Sequence, residues 1–153
     1  MGTNLVVKVS LDGILHVVAG NGIPGLSGDG GPATSAALSA PYGVVGDAVG
    51  NLYIADSGNH RIRKVSASGT IATVAGIGQP DFSGDGGPAT SASLHNPLGV
   101  AVDAAGNLYI ADTDNYRIRK VSASGTIPPW QASGSRIFPE TEGRPRVPHF
   151  VIH

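Results

Sequence analysis

Short apolar runs separated by polar turns recur along most of this chain. YGVVGDA at 42–48 and LGVAVDA at 98–104 are β-branched runs of strand length. Each is followed, across the turns AVGN or AAGN, by NLYIAD. HRIRKVS and YRIRKVS come next, after the turns DSGN and DTDN, and TIATVAG follows SASG. Runs of this length bounded by Gly, Asn, Asp and Ser predict strands joined by tight hairpins. In the first turns a glycine supplies the positive φ, and Asp47 and Asp103 are placed to accept hydrogen bonds from the turn backbone.

The pattern repeats in letters as well as in polarity. Laying residues 21–71 over 77–127 leaves 37 of 51 positions identical, which fixes a period of 56 residues. The same shift lays KVSLDGILHVVAG (8–20) over KVSASGTIATVAG (64–76). The chain therefore divides into the end of a preceding unit (1–20), a full unit (21–76), most of another (77–127) and a non-repeat tail (128–153). Four hairpin-linked strands make a small sheet that cannot bury both faces alone, so its neighbours must cover it. The expected fold is all-β: a partial β-propeller of about two four-stranded antiparallel blades plus a half-blade. A β-solenoid fits less well, since its periods are shorter and its strands lack hairpin turns.

Each unit carries near its start one decapeptide, SGDGGPATSA, at 27–36 and again at 83–92. One aspartate per loop (Asp29, Asp85) is far short of the six to eight oxygens of a calcium site. The lysine of a phosphate-binding loop is missing too. A connector reading fits better: Asp29 or the following glycines cap a short helix beginning at Pro32, Leu38 and Leu94 tuck onto the sheet, and Pro41 and Pro97 end it.

Composition narrows the function classes. A net charge of −1 gives no field to attract nucleic acid or anionic lipid. The absence of cysteine excludes disulfides and thiolate metal sites. The N-terminal residues show no secretory signal, and no run reaches the ~18 apolar residues of a membrane span. Five of the 11 prolines lie in the tail, and Pro128 and Pro129 predict that the last unit's fourth strand is lost or cut short. So abrupt a change suggests a truncated or frame-shifted reading frame.

The polar residues fall into two sets. Asp56, Asn59 and Arg61 recur as Asp112, Asn115 and Arg117. Recurrence in every unit favours a structural role, with Asp and Asn bonding the turn backbone and Arg pairing with a neighbouring carboxylate. The second set differs between units: His60 against Tyr116, Gly58 against Asp114, Gly25 and Leu26 against Asp81 and Phe82, Ser39 against His95. In a propeller these connections emerge on one face, so His60, Tyr116, Asp114, Asp81, Phe82 and His95 form the candidate ligand-binding face. The five histidines show no metal-ligand spacing, no nucleophile–base–acid set stands out, and neither a metal nor a cofactor is expected. RIRKV could form a basic stripe, but equal acidity and missing stacking aromatics argue against nucleic acid.

The motif P-x-G-V-x-x-D-x-x-G-N-L-Y-I-A-D-x-x-N-x-R-I-R-K-V, read at 41–65 and 97–121 with small departures, resembles the NHL-repeat β-propeller family. The GDGGPATSA connector resembles the long-repeat bacterial and teneurin-like subgroup. The resemblance implies a binding or scaffolding module for a protein or carbohydrate partner and an extracytoplasmic location. It equally allows a lyase or lactonase using a divalent metal, although the repeats hold no Glu. Family members usually close six blades, so this chain is expected to be a fragment, an open stack or part of an oligomer.

Overall fold

The computed structural model describes residues 3–129. The tail, apart from its first two residues, lies outside them, and so does the end (130–131) of the segment where a last fourth strand was expected. Three antiparallel sheets follow one another along the chain. The first pairs β1 (Val6–Val9) with β2 (Leu15–Ala19). The second has the order β3 (Pro41–Gly46), β4 (Leu52–Asp56), β5 (Arg61–Val65), β6 (Ile71–Ala75). The third is β7 (Pro97–Val102), β8 (Leu108–Asp112), β9 (Arg117–Val121). This is the all-β blade architecture that the hairpin pattern predicts.

Stacking explains why the strands are apolar on both sides. Along β4, Ile54 points into a core shared with Val6 and Ala19 of the first sheet, while Tyr53 and Ala55 point into a core shared with Leu108 and Ile110 of the third. Successive residues of a strand face opposite ways, so a central blade feeds two cores at once. Ile54, Ile62, Ile71 and Ile110 are fully buried, each contributing about 1.5–3 kcal/mol of apolar transfer.

The connector is a single 3-10 turn, Ala33–Ser35, repeated at Ala89–Ser91. Its start differs from the sequence expectation. Pro32 stands at the capping position in extended conformation and no side chain caps the turn. Asp29 is engaged elsewhere, as described below. The decapeptide instead runs along the open edge of its own blade. Gly30 N–H donates to the Ile71 carbonyl at 2.8 Å, Ile71 N–H to Gly31 at 3.0 Å, and Ala33 N–H to Gly69 at 2.8 Å. The third blade repeats this with Gly86, Ile127, Gly87, Ala89 and Gly125. An exposed strand edge is a template for unwanted pairing, and the connector occupies the start of this one.

The hairpin turns behave as their letters predict. Asp47 accepts from Val49 N–H at 3.1 Å, Asn51 N–H at 2.9 Å and the Asn51 amide at 2.7 Å; Asp103 does the same for Ala105 and Asn107. The Asn51 side-chain bond, with the turn N–H groups, holds the Asp47 carboxyl below the ordinary carboxylate range. Stability from this turn is thus complete above the unfolded-state pKa of about 3.9 and is lost as pH falls through the lower folded value. Asp47→Asn is expected to flatten that part of the acid-denaturation profile, read by circular dichroism. An unchanged profile would remove Asp47 from the acid response.

Candidate ligand-binding face

Two ends of each blade can be told apart. The connector's last residues and the β4–β5 and β8–β9 turns share one end, since Gly58 N–H donates to the Ser39 carbonyl at 2.9 Å and Asp114 N–H to His95 at 3.2 Å. Beneath that end lies a buried ionic cluster. Arg63, fully buried, donates through Nη2 to Asp29 Oδ1 at 2.7 Å and the Ser27 carbonyl at 3.1 Å, and through Nη1 to Asp56 Oδ2 at 3.2 Å. One period later Arg119 bonds Asp85 at 2.6 Å and the Ser83 and Ser93 carbonyls, with Asp112 at 3.5 Å.

Asp56 is wholly enclosed and takes three partners: Ser39 N–H at 2.7 Å, the Asn59 amide at 2.8 Å and Arg63. Burial pushes its carboxyl up, against the pull of Asn59, Ser39 and Arg63. Asn59 also donates to the Gly25 carbonyl at 2.7 Å, and Asn115 to Asp81 at 2.9 Å. The backbone that Asp56 and Asn59 bond therefore belongs to the connector, not to their own turn. Arg61 does not pair with a carboxylate as the sequence suggested; its Nη2 donates to the Ile77 carbonyl at 2.7 Å. Arg117 stacks on Phe82, its guanidinium carbon 3.8 Å from the ring centroid.

Above the cluster sit the residues that differ between units. His60 and His95 meet edge to face at 5.6 Å, and His95 Nε2 lies 3.6 Å from Asp114 Oδ2. Asp81 and Phe82 border them through Asn115 and Arg117. Tyr116 projects outward, 94% exposed. The structure thus brings His60, His95 and Asp114 into one group, with Asp81 and Phe82 at its side and Tyr116 separate.

The fold and the 56-residue period can now be set beside known proteins. Residues 77–136 match the teneurin NHL domain family. The chain is 32% identical to Teneurin-m of Drosophila melanogaster over 151 residues, 88% of this chain and 5% of that protein. The chain carries NHL repeats of the β-propeller family.

Among solved structures, a Bacteroides thetaiotaomicron protein of unknown function superposes with a TM-score of 0.67 at 28% identity, covering 77% of this chain and 30% of the other. Streptogramin B lyase superposes at 0.56 and 17% identity, over 82% of this chain and 33% of the other, a likeness of fold alone. This NHL chain spans a small part of the curated teneurin it matches and about a third of the structures.

Arg63 and Arg119 were not singled out by the sequence. RIRKV reads as a charged strand, but its middle arginine stands between Ile62 and Lys64, alternates with the neighbouring apolar positions and is unchanged between units, the pattern of a residue held inside the NHL blade. Burial of Arg63 and Arg119 takes two of the six RIRKV charges off the surface.

Proposed function

We propose that this chain is a non-catalytic binding module that recognises a protein or carbohydrate through the connector end of its second and third blades. A division of labour among polar residues supports the reading. Those that recur in every unit (Asp29, Asp56, Asn59 and Arg63, with their counterparts) are engaged with one another or with backbone inside the scaffold. Those that change between units gather at one end, where the side chains of His95 and Asp114 are 37% and 46% exposed. An exposed tyrosine at the same end of the blade as imidazole and carboxylate groups provides both contact area and directional bonds for a partner.

The purified chain, screened against glycan and peptide panels, is expected to bind a member of one of them. Tyr116→Asn should then weaken binding by about tenfold, the loss of a good anchor residue. Its melting temperature should not move, because the ring is exposed and asparagine occupies the corresponding left-handed position at Asn4. Turnover of a lactone or ester with a stoichiometric divalent metal would instead favour the lyase or lactonase alternative.

A further inference from the structure

Asn4, His60 and Tyr116 occupy one position of the repeat, and all three adopt the left-handed conformation, with φ of 51°, 53° and 55°. The first two make the same contact. Asn4 Oδ1 accepts the N–H of Ala40 at 3.0 Å, and His60 Nδ1 accepts the N–H of Asn96 at 3.0 Å. Ala40 and Asn96 are themselves one period apart, each just before the first strand of the following sheet and each left-handed. One side chain thus staples the turn of each sheet to the connector entering the next. The first staple is an amide and the second an imidazole.

We propose that His60 is a proton-operated staple between the second and third blades, closed when the imidazole is neutral and opened when it is protonated. A backbone N–H can only donate, so the Nδ1 that receives it must carry the lone pair, leaving the proton on Nε2. A second proton on Nδ1 would set N–H against N–H and abolish the bond. Asparagine at the first junction has no such transition, so the two junctions should respond differently to acid.

The groups around His60 bias this switch in opposite directions. From the third sheet, the His95 ring stands edge-on at 5.6 Å, and Asp114, in contact with His95, and Asp112, at the end of β8, add negative charge. From its own sheet, Arg61 is turned to the Ile77 carbonyl, and Asp56 is held by Arg63. Burial, then His95, lowers the His60 pKa, while Asp114 and Asp112 oppose the shift without reversing it. With the folded value depressed, the unfolded chain takes up the proton first as pH falls below about 6.5. The staple's contribution is therefore complete above that pH and is lost on descending to the lower folded value.

Amide exchange and ring nitrogen shifts of the full chain, followed by NMR from pH 8 to 5, test this. His60 should be the Nε2–H tautomer at high pH. The protection factor of the Asn96 amide should fall roughly five- to tenfold as His60 titrates, the worth of one hydrogen bond. The Ala40 amide, held by Asn4, should stay flat and serves as an internal control. His60→Asn should make Asn96 equally flat while keeping it protected. His95→Gln should raise the midpoint and Asp114→Asn lower it, which decides the matter even if the His60 variant folds poorly. Protection of Asn96 that ignores the His60 titration, or that falls in parallel with Ala40, would overturn the proposal.

Discussion

Arg63→Met is expected to destabilise the fold by about 3–5 kcal/mol, the cost of removing one partner of a buried ion pair. Against a total stability of about 5–15 kcal/mol for a small domain, that is a large fraction. The loss comes from what remains behind. Asp56 is fully enclosed, and without the guanidinium its carboxylate has only Ser39 N–H and the Asn59 amide to offset burial. Asp56 should therefore hold its proton to a higher pH in the variant than in the unfolded chain. The sign follows: the folded variant binds more protons, so its stability rises as pH is lowered from 7 towards 5. Removing both charges, by Arg63→Met with Asp56→Asn, should recover part of the loss, because no unpaired ion is then buried. Urea melts of the three variants at two pH values check this. A single variant within about 0.5 kcal/mol of the parent would show that the buried pair contributes little.

Gly28→Ala is expected to cost about 2–5 kcal/mol, from two sources that can be separated. Its φ of +91° disfavours any side chain by about 1–2 kcal/mol. A Cβ there would also lie 2.7 Å from both Cα and Cβ of Ala36, a collision of the overpacking kind worth a further 1–3 kcal/mol. Gly30 supplies the control: its φ is +84°, but nothing lies within 4 Å of an added Cβ. Gly30→Ala should thus show the conformational share alone, and thermal melts should rank Gly28→Ala well below it. Equal melting temperatures would mean that the loop moves aside from Ala36.

Much of this architecture was legible because strand and turn chemistry is local. The alternation in NLYIAD, the glycine turns and the Asx aspartates act over a few residues, and period 56 multiplied each signal. The ionic cluster was hidden for the opposite reason. Arg63 meets Asp29 across 34 positions, and a charged strand residue is ordinarily solvent-facing unless both sheet faces are covered. Asp29 was read as a helix cap because the local letters suit one, yet a partner from β5 draws it away. At the candidate face, comparing the units pointed to His60, His95 and Asp114, since connector and turn share one end of the blade. The His60–Asn96 bond could not be read, because it joins consecutive units through space.

The decapeptide bonds the start of a strand that comes about 40 residues later in its own unit, and its 3-10 turn also holds the end of the preceding unit, Gly20 N–H donating to the Ala33 carbonyl and Gly76 N–H to the Ala89 carbonyl. The ionic cluster and the bonds to Ile71 therefore travel within one 56-residue stretch of coding sequence, while the end of that strand is held by the decapeptide of the next unit. A duplication of 21–76 would deliver a blade with its arginine already paired and with a connector that ties it to the blade before it. Each further copy would supply in register the bonds that hold the end of its predecessor. Near-identity of adjacent units is the trace that recent copying of this kind leaves.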